Sequence, residues 1–204
     1  MKIAWSLVTV LYLASSINHK PIISAKMGSV STAQCRQGNG RYDLHVGGTI
    51  KFTNVSNHTL LLPKKIDVVR TFLAASSMEE ALRKKYVFVM NQEFGGSVGA
   101  SVSLEDFIAL KTGANALADV EPTVVTVTAD SNSNPSEGFG PGTYWVRLEF
   151  ATIPAALFFH AKELAVAKKT WRASGTLVDS YVMTEPFRLD VAPDPKAPTC
   201  ESVN

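Results

Sequence analysis

"GPGTYWVRLEF", residues 140–150, alternates without a slip. Tyr144, Val146, Leu148 and Phe150 fall on one side; Thr143, Trp145, Arg147 and Glu149 fall on the other. Successive side chains of an extended backbone point to opposite faces, so this period of two marks a strand with one face in a core. Pro141-Gly142 supplies the turn that starts it.

The same alternation recurs elsewhere. Leu44, Val46, Ile50 and Phe52 share one parity, and Asp43, His45, Thr49 and Lys51 the other. "NVSN" (54–57) reads as a turn and "HTLLLP" (58–63) as a second strand, which makes a hairpin of the pair. "IDVVRTFLA" (66–74), "PTVVTVTA" (122–129), "GTLVDSYVM" (175–183) and "PFRLDVA" (186–192) add strands. "YVFVMNQEF" (86–94) is apolar on both faces at its start, as a central strand is. "SLEDFIALKTG" (103–113) fits helix or strand, and "DSNSNPSEGFGPG" (130–142) has the composition of a surface loop. Helices are few. "SSMEEALRKKY" (76–86) opens with Ser77 and, three residues on, Glu80, the capping-box spacing, and predicts about two turns. Over 155–172, Leu157, Ala161, Leu164, Ala167 and Trp171 recur at helical spacing and predict one amphipathic helix. The expectation is a mainly β fold: an antiparallel β-sandwich with one inserted amphipathic helix and a second short helix. A closed barrel is the alternative.

The chain has 204 residues, 46% of them hydrophobic, enough for one core. Lys2 followed by the apolar run Ile3–Ala14 has the form of a signal peptide and is short for a membrane span. Cleavage is expected after Ser16 or after Ala25. The expected organisation is a signal peptide over 1–25, a flexible polar lead over 26–41, a domain over 42–192 and a tail over 193–204. The later cleavage removes Lys2 and Lys20 and no acid, which brings the formal charge of +2 to zero. No basic run supports nucleic-acid binding. The two cysteines, Cys35 and Cys200, are expected to pair, as they do in exported chains. A loop that long stabilises by about 4–5 kcal/mol in the chain-entropy treatment.

"PGTYWVRL" with the later "TEPFRLDVAP" resembles the last two sheet strands of immunoglobulin-like β-sandwich domains found in uncharacterised exported bacterial proteins. "VGGTIKFTNVSNHTLLL" is similar to the opening hairpin of such domains. The resemblance implies an immunoglobulin-like sandwich and brings no catalytic residues. The pair of core cysteines found in antibody domains is missing.

"GGSVG" (95–99) matches the nucleophile-elbow pattern around Ser97, with Asp130 and His160 following in hydrolase order. Repeated βαβ units are missing, so an ordinary turn is expected there. Asp43, His45 and His58 near the "NVSN" turn suggest a loose metal site, but their spacing matches no known one, and surface histidines are expected. Asn54-Val55-Ser56 and Asn57-His58-Thr59 are acceptor patterns for N-glycosylation. Trp145 beside Arg147 on the polar side of a strand is either covered by the 155–172 helix or the 130–140 loop, or offered to a partner. The functional expectation is a secreted or periplasmic protein without enzymatic activity or cofactor. It binds another protein at the envelope or outside the cell through Trp145 and Arg147 with the 130–140 loop, and meets the membrane only through its signal peptide. A serine hydrolase using Ser97 and a carrier of a small apolar ligand are the alternatives.

Overall fold

The computed structural model describes residues 22–64, 70–92, 101–129, 138–158 and 160–200. The opening stretch forms β8 (Gly142–Ala151), the centre of one sheet. It pairs antiparallel with β4 (Arg70–Ala75) on one side, and with β10 (Tyr181–Met183) and β11 (Phe187–Val191) on the other. β5 (Phe88–Gln92) pairs with β4 at the edge. Val146, Leu148 and Phe150 are buried as the alternation predicts, beside Phe72, Ala74, Val182 and Leu189.

A second antiparallel sheet runs β1 (Ile23–Gly38), β2 (Arg41–Asn54), β7 (Asn115–Thr128), with β2 in the middle. Leu44, Val46, Ile50 and Phe52 face the β8 sheet, and one core cluster holds residues of both. Phe52 meets Phe150 edge-on, with ring centroids 5.7 Å apart. A third, small sheet joins β3 (Leu60–Pro63) to β6 (Phe107–Leu110) antiparallel and to β9 (Thr176–Leu177) parallel. Leu60 and Leu62 belong to the main core. Leu61 belongs to a second cluster with Phe107, Ile153, Leu157, Ala167 and Leu177. The protein is therefore mainly β and sandwich-like, and the described strands close no barrel.

Several expectations change. Residues 26–41 are no flexible lead: most of them form edge strand β1. Small polar side chains suit its middle, which is exposed on both faces. β1 starts inside the segment assigned to the signal peptide, where Ile23 and Ala25 are 5% and 2% exposed. Ala25 pairs with Phe52, and its carbonyl accepts from the Glu185 N–H at 2.8 Å. Cleavage after Ala25 deletes these contacts, whereas cleavage after Ser16 spares them.

β2 and β3 form no hairpin. Asn54 turns the chain out of one sheet and into another. Its buried side-chain amide donates to the carbonyls of His58 and Leu110 at 2.8 and 2.7 Å. Its Oδ1 accepts from the N–H and hydroxyl of Ser56 at 2.8 and 2.7 Å. The 86–94 strand is an edge rather than a centre. Segment 103–113 becomes a single 3₁₀ turn, Leu104–Asp106, followed by β6. α1 (Met78–Leu82) is shorter than two turns, with Ser77 accepting from the Glu80 N–H at 3.2 Å.

The 155–172 helix divides into α2 (Ala155–Phe158) and α3 (Ala161–Thr170). His160 leaves helical geometry at φ −125°, ψ 83°, so Ala161 drops off the predicted stripe and is exposed. Phe139, read as part of a surface loop, is buried among Phe72, Phe88 and Tyr144. Gly138 beside it has φ +135°, and a Cβ there meets the Thr126 carbonyl oxygen at 2.6 Å. Only glycine fits that approach.

Candidate functional site

The outer face of the β8 sheet reads as rows across the strands. Ala75, Trp145 and Arg188 share one register position. Val89, Leu73 and Arg147 share the next. Asn91, Thr71, Glu149 and Met183 share the one after. Trp145 is half-buried. Its strand is partly covered by α1, which packs against β4 and β8. The Tyr86 hydroxyl lies 3.5 Å from the Met183 sulfur, so the link from α1 to β5 reaches over β8 toward β10.

Arg147 is tied into the fold. Its Nε donates to the Thr184 carbonyl at 2.7 Å. Buried Thr184 fills the gap between β10 and β11: its hydroxyl accepts from the Leu148 N–H at 3.0 Å, and its own N–H donates to the Leu148 carbonyl at 2.9 Å. The Arg147 charge is thus held in place beside Trp145. At the near end, the Thr143 hydroxyl donates to Asp190 at 2.6 Å and Arg188 bridges the same oxygen at 3.0 Å. The Thr143 hydrogen bond first, and then Arg188, hold the Asp190 carboxyl below the usual range. On the inner side of β8, burial pushes the Tyr144 phenol up, while its hydroxyl donates to the Gly140 carbonyl at 2.8 Å.

The edge residue Val89 was not singled out by the sequence reading. It is 54% exposed in the row of Leu73 and Arg147. Val87 beside β5 and Tyr181 on β10 are also exposed. The signal was present in the alternation of "YVFVM", where Val87 and Val89 share a parity.

The expected Cys35–Cys200 disulfide is present. The tail after β11 runs beside β1: the Arg36 N–H donates to the Pro198 carbonyl at 2.7 Å, and Arg36 Nε to the Ala197 carbonyl at 2.7 Å. Gln34 donates to the Ala192 carbonyl at 2.9 Å. Cys35 is opposite Asp43 in the ladder. Asp43 Oδ2 stands 3.7 Å from the Cys200 sulfur, and His45 Nε2 stands 3.9 Å from the Cys35 sulfur. The Gln37 amide reaches both Asp43 oxygens at 2.7 Å. His58 is not part of this group. It lies past the far end of β2, exposed, with Nδ1 3.1 Å from Asn57 Oδ1.

A groove of about 480 Å³ runs beside α3, lined by Val102, Leu157, Val166, Ala167 and Trp171, with Lys162 and Glu163 also on its wall. Ser97 and Asp130 lie outside the described residues, as do 131–137 of the 130–140 loop. His160 is exposed at the start of α3. Of the two glycosylation patterns, Asn54 is 0% exposed with its amide fully engaged, while Asn57 is exposed. Among the described residues, no helix is long and apolar enough to cross a membrane. No family model, curated protein or solved structure matches this chain.

Proposed function

We propose that the chain is an exported, non-enzymatic binding module of immunoglobulin-like type, and that it captures another protein at the envelope or outside the cell. The observation that carries this reading is the β5 edge. A described edge strand bears exposed Val89 in register with Leu73 and Arg147, next to the row of half-buried Trp145. A partner strand added at β5 gains main-chain hydrogen bonds along the edge. The added strand extends the face that carries Trp145 and Arg147, residue types favoured at binding centres, with β4 and β5 lying between. The pairing of β8 with β11 supports the immunoglobulin-like reading. The disulfide supports an oxidising compartment, secreted or periplasmic.

The test is a cross-linked pull-down from the native envelope fraction with wild type, Trp145→Ala and Val89→Lys, each shown to be folded by circular dichroism. A charge at an exposed edge position leaves the fold intact and obstructs strand addition. The reading expects one partner that both variants lose. It fails if wild type captures nothing, or if both variants capture the same partner as well as wild type does.

The groove beside α3 favours a second reading, carriage of a small apolar ligand. Its size falls within the range of about 300–1,000 Å³ usual for such sites. Saturable binding of a lipid-like dye that Trp171→Ala abolishes supports it; no binding to the native chain removes it.

A further inference from the structure

We propose that the Cys35–Cys200 corner is a reduction-gated site for a tetrahedral divalent metal ion of the zinc class, with Cys35, Cys200, His45 and Asp43 as its ligands. The donor atoms of Cys35, Asp43 and Cys200 all lie within 4.8 Å of one another. His45 Nε2 lies outside that mutually close group but stands 3.9 Å from the Cys35 sulfur, and it is the fourth donor of the proposed site. In a tetrahedral site with metal–sulfur bonds of about 2.3 Å and metal–nitrogen bonds of about 2.0 Å, neighbouring donors stand roughly 3.5–3.8 Å apart. The His45–Cys35 and Asp43–Cys200 separations, 3.9 and 3.7 Å, are already near that edge length. What occupies the middle is the covalent bond between the sulfurs.

The scaffold keeps the donors together when that bond opens. Cys35, Asp43 and His45 sit on the paired strands β1 and β2. Cys200 sits on a tail that Arg36 holds independently through the Pro198 and Ala197 carbonyls. The Gln37 amide holds the Asp43 carboxylate in place, as an outer-shell partner does for a ligand. Two thiolates with an imidazole and a carboxylate suit zinc, which is indifferent to geometry beyond four-fold coordination.

The opening step needs a dithiol reductant. Cys35 is 3% exposed and Cys200 is half-buried, so the incoming thiolate attacks the Cys200 sulfur. The S–S bond breaks and Cys35 leaves as a thiolate beside His45. The reductant's second thiol then displaces Cys200 from the mixed disulfide and leaves as a cyclic disulfide. Two electrons pass to the chain. Metal binding then releases the two thiol protons.

The test uses a chain beginning at Ile17, oxidised or reduced by a dithiol that is then removed under inert gas. It is titrated with Co²⁺ as a spectroscopic substitute and with Zn²⁺ as competitor, and far-ultraviolet circular dichroism follows the strands. The oxidised chain is expected to show no site. The reduced, folded chain takes one Co²⁺ with sulfur-to-cobalt charge-transfer bands and the intense visible bands of tetrahedral coordination, and Zn²⁺ displaces it. Cys35→Ser abolishes that spectrum. His45→Ala and Asp43→Asn each weaken binding at least about tenfold. The proposal is overturned if the reduced chain shows no stoichiometric tetrahedral site, if the affinity ignores either replacement, or if metal is held only after the strand signal is lost.

Discussion

β8 and β7, on opposite sides of the main core, solve the same problem differently. β8 keeps one phase up to its last residue: its even-numbered residues Val146, Leu148 and Phe150 are buried, and the terminal Ala151 is buried out of phase. β7 changes phase. Ala118 and Val120 are buried before Pro122, and Thr123, Val125 and Val127 after it. The register explains the change: Val46 pairs with Thr123 but Gly48 with Val120, so β7 carries one more residue than β2 across that step. β1 carries its own extra residue at Gly28, on the other side of β2. Such bulges belong on edge strands, where Pro122 also costs the ladder least. A long sheet can thus bury one face while its pattern reads as two unrelated short strands.

The sharpest way to break this contrast is Gly48→Ala. Gly48 has φ +142°, and a Cβ there would overlap the Ser29 carbonyl across the β1 bulge. Denaturant melts should show a loss of about 3 kcal/mol or more. A loss below about 1 kcal/mol would mean that the bulged sheet adapts freely. Next in size is the choice of chain start. A chain beginning at Lys26 lacks buried Ile23 and Ala25 and should be about 2–3 kcal/mol less stable than one beginning at Ile17. Equal stability would show that the first residues of β1 contribute nothing. The smallest effect has the opposite sign. The Thr123 hydroxyl, just after the phase change, is buried without a hydrogen-bond partner. Thr123→Val keeps the shape and removes the orphan, so the melting midpoint should rise by the equivalent of about 1 kcal/mol. A fall would mean that the hydroxyl is satisfied in solution.

The same contrast decides what was legible. β8 and β11 could be read because a single phase runs nearly the length of each, and β2 because its bulged neighbours leave its own parity intact. β1 could not. Its middle faces solvent on both sides, so nothing selects apolar residues there. Phe139 was hidden because glycine and proline around it signal a loop, although they also allow the close approach that buries it. At the candidate sites, two cysteines in an exported-type chain announced the disulfide, and alternation placed Trp145 on the outer face. The gathering of Asp43 and His45 around the bridge was invisible, because it depends on where a tail from the other end of the chain crosses β1. His58 was drawn toward His45 only by the assumption that β2 turns straight back.

The bridge that fastens this tail also fixes how the molecule bears load. Cys35 and Cys200 are 165 positions apart, so the loop they close contains every strand from β2 to β11. A pull on the chain from outside that loop travels through the two sulfurs and leaves those strands unstretched. Anchored at one end and tugged at the other, the oxidised molecule lengthens only by the segments outside the bridge. Once the bridge is reduced, the same tug can unravel the sheets. Compartment redox state would then set mechanical compliance as well as stability.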